Sequence, residues 1–380
     1  MSQRCRYDSC SMMGTPVCDH LELQLTKIAF AMNRRLCCIF LSLLVAGSVA
    51  TTAFAQGAPG DREVDRSIVR ALKFLAAQQQ PSGAWQLLNA SRGRDAASAT
   101  SLAVMAFMAA GHVPGEGPYG EAMERGIRWV LSNQRQNDGL FQHRAGSGPM
   151  YTHGICTLML AEVAGMADAP LNDRVRKSLE KAILLILKAQ EVPKGNQHAG
   201  GWRYDASSHD SDLSVTGWQL LALRAAKNIG CDVPAEAIEY AVSYVNKCAD
   251  RNGGFSYQAG HGVSPTRTGT GILCLEICGE HHAPATMAGA DYLLRRPLRY
   301  NDSFFFYGVY YSTVGMFQVG GRHWEQTRNN VTTLLLTRQH PDGSWNPQDG
   351  SEASFGPIYA TSMSVLALAV EYQYLPIYQR

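Results

Sequence analysis

Asp210 and Asp212 flank Ser211 just ahead of an apolar run that begins at Leu213. Paired carboxylates at such a point suit general acid–base chemistry. His153 adds a base, Arg267 a cation, and Tyr151, Tyr310, Tyr311 and Tyr359 phenolic donors, while Asp95 is a further carboxylate. Each sits in or near the start of an apolar segment. If those segments are helices whose N-termini meet, backbone N–H groups and helix dipoles converge with these side chains on one mouth. Such a set fits glycan lyases or hydrolases, or the binding of an anionic ligand. The same residues also have structural uses: Asp212, Ser214 and Asp95 are well placed to cap the helices that follow them. Cys274 and Cys278, one helical turn apart in an apolar stretch, read as small buried hydrophobes. No metal site and no cofactor are expected.

The elements that position these residues are of two kinds. Val64, Ile68, Leu72 and Leu75 line one face of Asp61 to Gln78, opposite Asp65, Arg66, Arg70 and Lys73. Val175, Leu179, Ile183, Ile186 and Leu187 do the same in Asn172 to Gln190. Comparable segments run from Tyr119 to Gln134, Pro234 to Cys248, Pro284 to Arg296 and His323 to Gln339. One apolar face each makes them an outer layer. The other kind, such as Leu102 to Ala110 and Met363 to Val370, is apolar nearly all round and far shorter than the roughly 20 residues of a membrane span. These predict an inner layer.

Aligning the inner segments puts threonine in one column: Thr100, Thr152, Thr216, Thr268, Thr313 and Thr361. They read as caps or packing residues. Before five of the six comes a Gly-aromatic turn: Gly83-Ala84-Trp85, Gly139-Leu140-Phe141, Gly200-Gly201-Trp202, Gly253-Gly254-Phe255 and Gly343-Ser344-Trp345. The fifth repeat keeps only the aromatic run Phe304 to Tyr307. Six irregular helix pairs signal a stacked array. An open array would expose its terminal apolar helices, and no polar cap is evident, so the pattern predicts a closed ring. The expected fold is all-α, an α/α toroid of six helix pairs.

Gln79-Gln80-Pro81-Ser82-Gly83-Ala84-Trp85 and Arg338-Gln339-His340-Pro341-Asp342-Gly343-Ser344-Trp345 resemble the QW repeat of squalene and oxidosqualene cyclases. A similar turn occurs in protein prenyltransferase β subunits. The likeness spans about Asp61 to Tyr374 and implies a prenyltransferase/squalene-oxidase repeat protein. The catalytic motifs of those enzymes do not carry over. The Asp-x-Asp-Asp-Thr acid motif of triterpene cyclases falls on Asp212-Leu213-Ser214-Val215-Thr216, which keeps only the first aspartate. The zinc-binding Asp-x-Cys of prenyltransferases is absent beyond the leader. Cys278-Gly279-Glu280-His281 lacks the glutamine of a complement-type thioester.

The chain carries a formal net charge of +2 with 17% charged residues, which gives no basic footprint for nucleic acid. Asn33-Arg34-Arg35, the apolar run Leu36 to Val49 and Ala53-Phe54-Ala55 form a signal-peptide pattern. Residues 1–31 then read as an over-called extension, 32–55 as the signal peptide, 56–60 as a linker and 61–380 as one toroid domain. Export with cleavage near Ala55 is expected, leaving no transmembrane anchor. Cys156, Cys231, Cys248, Cys274 and Cys278 remain, too few and too odd in number for a disulfide framework. The function expected is binding of a hydrophobic, glycan or protein ligand at the toroid mouth. A divergent terpenoid cyclase and a glycan-active enzyme are the alternatives.

Overall fold

A computed structural model describes residues 59–87, 96–141, 148–348, 350 and 352–379. Twelve α-helices occur among them: α1 (Pro59–Ala77), α2 (Ala96–Ala109), α3 (Gly120–Ser132), α4 (Pro149–Val163), α5 (Ala169–Glu191), α6 (Leu213–Asn228), α7 (Ala235–Lys247), α8 (Pro265–Ile277), α9 (Pro284–Arg295), α10 (Phe305–Val319), α11 (Gly321–Leu336) and α12 (Gly356–Leu368). A two-residue antiparallel hairpin, β1 (Phe255–Ser256) with β2 (Val263–Ser264), precedes α8. The odd-numbered helices are amphipathic and form the outer layer. The even-numbered helices are buried on nearly every side, as α2 is from Ala97 through Ala109. Each even helix packs on the next, and α12 packs back on α2. Six inner helices inside six outer ones make the α/α toroid that the sequence predicted.

The Gly-aromatic turns hold the two layers together. Trp85, Trp202 and Trp345 are fully buried, and the indole N–H of each donates to a carbonyl of its own outer helix: Leu75, Ile186 and Leu335, at 2.7, 2.8 and 2.9 Å. A glutamine ahead of the turn reaches the following outer helix. Gln79 donates to the Gly83 and Ala122 carbonyls, Gln134 to those of Gly139 and Ser178, and Gln190 to those of Gly200 and Ala237. Gln339 donates to the Ser67 and Gly343 carbonyls, each at 2.9 Å, and so ties the last repeat to the first. Gly200 has φ 100°, and a Cβ there would collide with the Tyr240 carbonyl of α7; alanine is excluded on both counts.

The threonine column holds in four repeats. Thr100, Thr216, Thr268 and Thr361 each accept the backbone N–H of the turn aromatic at 3.0–3.1 Å. In the second repeat the acceptor is Nδ1 of His153, which takes the Phe141 N–H at 3.2 Å. Alignment on Thr152 is therefore one residue out, and the Thr152 hydroxyl is buried without a partner. Thr313, likewise unpartnered, lies about a turn too deep in α10 to meet the column.

The end of the ring opposite the inner N-termini is stopped by the C-terminal segment. Leu375, Ile377 and Tyr378 are buried, beyond the stretch that the repeat pattern covers. The Ile377 N–H donates to Oε2 of Glu162 at 3.2 Å, the Gln318 amide to the Tyr378 carbonyl, and the Tyr378 and Tyr310 hydroxyls are hydrogen-bonded. Burial pushes the Glu162 carboxyl up to about 8, opposed by that single backbone N–H. Among the described residues no helix is long and apolar enough to cross a membrane. The five described cysteines are free.

Candidate functional site

Asp212 ends an extended residue and opens α6. Its Oδ1 accepts the Ser214 and Val215 N–H groups, both at 2.9 Å, which is a helix cap. Its Oδ2 faces Nη1 of Arg203 at 3.2 Å. The side chain is inaccessible to solvent, and burial pushes its carboxyl up to about 6 against the pull of the two N–H groups, Arg203 and Tyr257. All its close partners are donors that favour the anion. Asp210 is more exposed and meets Nε of Arg203 at 3.2 Å, with the Gln258 amide at 3.4 Å.

Arg203 follows the turn tryptophan Trp202 and is the centre of the mouth. Beyond the two aspartates it donates to the Tyr257 hydroxyl at 2.8 Å and lies 4.4 Å from the Tyr204 ring centroid. The Tyr204 and Tyr257 hydroxyls are hydrogen-bonded to each other. Arg267, in the first turn of α8, sits 5.2 Å from the Tyr257 ring centroid, and no carboxylate pairs with it among the described residues. Tyr151 packs against Tyr204 with 5.9 Å between centroids.

On the other side of the mouth Glu352, from the loop before α12, caps α10. Its Oε2 and Oε1 accept the Phe306 and Tyr307 N–H groups at 3.0 and 3.1 Å, and Oε1 also accepts the Tyr359 hydroxyl at 2.9 Å. Tyr307 bonds Thr270 at 2.5 Å and also reaches Ser214, so it spans from α10 past α8 to α6. Below it the ring is occupied. Trp218 of α6 stacks on Tyr310 of α10 at 5.5 Å and 7°, and meets Tyr311 edge-on at 5.3 Å. Side chains from helices two apart in the ring thus touch through its middle.

The structure gathers Asp210, Asp212, Arg267 and Tyr151 around Arg203, and sets Tyr359 on Glu352. It does not bring His153 there. That imidazole is fully buried behind the second turn, with Nε2 donating to the Ala182 carbonyl at 3.0 Å, and burial lowers its pKa to about 4. Tyr310 and Tyr311 belong to the filled interior instead of the mouth. Asp95 lies outside the described residues. Arg203, Tyr204, Tyr257, Tyr307 and Glu352 were not singled out by the sequence. No group of three or more His, Cys, Asp or Glu side chains is arranged to hold a metal among the described residues.

This ring has solved counterparts. It is similar to the type II terpene cyclase MstE from Scytonema, at 15% identity and TM-score 0.56 over 83% of this chain and 99% of that one. It is also similar to an inactive variant of the α-1,6-mannanase GH76A of Salegentibacter sp. HEL1_6 in complex with α-1,6-mannotriose, at 9% identity and TM-score 0.61 over 82% and 99%. A wild-type glycosidase aligns at 14% identity and TM-score 0.56 over 85% and 100%. The fold is a terpenoid-cyclase-like α/α toroid. At these identities the toroid is what is shared, and chemistry has to be argued from the mouth itself. The sequence matches no family profile and no curated protein.

Proposed function

We propose that this chain is an exported toroid whose mouth binds an oxygen-rich anionic ligand through Arg267 and the surrounding tyrosines, which Arg203 holds in place, without protonating it. The observation that carries the reading is the commitment of Asp212. Alkene protonation needs a neutral acid with its proton aimed at the substrate. Asp212 instead directs one oxygen at two cap N–H groups and the other at Arg203, and with a carboxyl at about 6 it is mostly ionised at neutral pH. The stacked Trp218 and Tyr310 also take up space that an extended polyprenyl chain would need.

Arg267 gives the ligand its sign. It is a guanidinium beside an aromatic ring with no carboxylate paired to it among the described residues, a combination suited to a carboxylate-bearing sugar whose C–H face packs on a tyrosine. The similar mannanase is in complex with α-1,6-mannotriose, a neutral glycan, which supports a glycan as the ligand, while the preference for an acidic one rests on Arg267. Export rests on the Arg34-Arg35, apolar run and Ala53-Phe54-Ala55 pattern, with the mature chain starting at Gln56.

Calorimetric titration with uronate oligosaccharides and their neutral counterparts tests the reading. Binding of the acidic series alone is expected, weakened about tenfold or more in Arg267→Ala. Equal binding of both series, or none, removes the anionic-ligand reading. Incubation with squalene or oxidosqualene should yield no product by mass spectrometry. A cyclised product lost in Asp212→Asn would make Asp212 the acid and overturn the proposal.

A further inference from the structure

Five of the six wedges between an outer helix, its inner partner and the next outer helix are filled by a turn aromatic, and the fifth is not. In register with the other repeats, Pro297 stands where Gln79, Gln134, Gln190 and Gln339 stand. Four residues before the glutamine lies the carbonyl that accepts the indole N–H: Leu75 for Trp85, Ile186 for Trp202, Leu335 for Trp345. The same count back from Pro297 reaches Leu293. Its carbonyl receives no helical hydrogen bond from Pro297, because proline has no N–H.

The receiving helix is altered to match. Where a turn glycine abuts an outer helix, the next residue of that helix is small: Gly126 after Arg125, Ala182 after Lys181, Ala241 after Tyr240, Gly289 after Ala288, Ala71 after Arg70. A Cβ on Gly126 would press on Trp85, and one on Gly289 on Phe255. Counting back eight residues from Gln339 gives the equivalent position in α11, which is Val331. With no aromatic arriving, valine fits there, and Leu298 enters the wedge from the linker. The replacement is incomplete. A cleft of about 260 Å³ remains, lined by Leu293, Leu298, Val331, Pro297, Thr327 and Ser312.

We propose that this cleft is a binding site for a small fused-ring aromatic of the indole class, which takes the place of the absent tryptophan and donates its ring N–H to the Leu293 carbonyl. An apolar cavity of about 150 Å³ is enough for benzene; this open cleft is larger and has room for two fused rings, with Ser312, Gln326, Thr327 and Asn330 adding polar groups to its lining. The wedge corresponds to those that hold tryptophan in the first, third and sixth repeats, narrowed here by Val331 and Leu298, and the acceptor is in the same register. The site lies in the outer layer and is independent of the mouth.

The experiment titrates indole into the purified chain, followed by ligand-observed NMR and by the rise in melting temperature. Saturable binding is expected. Val331→Ala, which restores the small residue of the other wedges, should tighten it severalfold. Val331→Phe should abolish it, and so should Thr327→Trp at a partly exposed position, which serves if the phenylalanine variant does not fold. Benzofuran, with oxygen in place of N–H, should bind about fivefold more weakly, the worth of one ordinary hydrogen bond. Absence of saturable binding in both wild type and Val331→Ala overturns the proposal. Binding that survives in Thr327→Trp places indole elsewhere and also overturns it. Equal affinity for benzofuran and indole rules out the Leu293 carbonyl as the recognition point.

Discussion

Asp212 at the mouth and Glu162 at the opposite end of the ring are both carboxylic acids buried almost completely, yet they are held in different states. Asp212 receives two backbone N–H groups and a guanidinium, and its carboxyl rises only to about 6. Glu162 receives one N–H, from Ile377, and rises to about 8. Burial costs the anion in both places, and the number of donors aimed at the oxygens decides how much of that cost is recovered. The mouth therefore keeps a charge at neutral pH, while the stopped end keeps a proton.

The pH dependence of stability separates the two ends most sharply. Between about pH 4.5 and 8 the folded chain retains a proton on Glu162 that the unfolded chain releases. Stability from this group is then greatest at low pH, falls by about 1.4 kcal/mol per unit through that window, and is level above pH 8. Glu162→Gln, neutral throughout, should remove a loss of up to about 4 kcal/mol between pH 5 and 8. Denaturant midpoints of both proteins at the two pH values check it. Parallel shifts would mean that Glu162 is ionised in the folded chain and the contrast false.

Packing at the mouth end should matter nearly as much. Trp202→Ala removes a fully buried indole and its bond to the Ile186 carbonyl, and should cost about 3–5 kcal/mol in urea melts. An unchanged midpoint would show that the turn does not hold the layers together. The smallest effect is expected for Asp212→Asn, which keeps an acceptor for the cap and loses the ion pair with Arg203. The folded carboxyl titrates near 6, above its ordinary value, so wild type loses stability as this group ionises between about pH 4 and 6 while the neutral variant does not. A loss of about 1–2 kcal/mol at pH 4 should therefore shrink or vanish by pH 7. A loss that stays constant down to pH 4 would place the titration elsewhere.

Helix pairs, their order and five turns could be read from the sequence, because each outer segment repeats its apolar residues on one face and each inner one is apolar all round. The column failed at Thr152 since an imidazole nitrogen accepts a backbone N–H as well as a hydroxyl does, and His153 sits one residue later. His153 reads as a base because it lies near the start of an apolar segment, where its ring instead accepts the Phe141 N–H and meets the Ala182 carbonyl. Glu352 is not legible in the sequence because it caps α10 from the loop of the next repeat, and a cap borrowed across the ring leaves no mark next to the helix it serves. Arg203 and Tyr257 lie in turns whose repeated signal is the glycine and the aromatic, so nothing in the repeat marks them. The C-terminal stop had no precedent in the repeat pattern at all.

Gln339 bonds to Ser67, 272 positions away along the chain. That seam has a kinetic consequence. Bringing two points so far apart together costs about 5 kcal/mol of chain entropy before any contact between them is made. During synthesis α1 and α2 exist long before α11 and α12 arrive to cover their free sides. The earliest helices made are thus among the last to be fully buried, and closing the ring between first and last repeats adds a long-range step of the kind that slows folding.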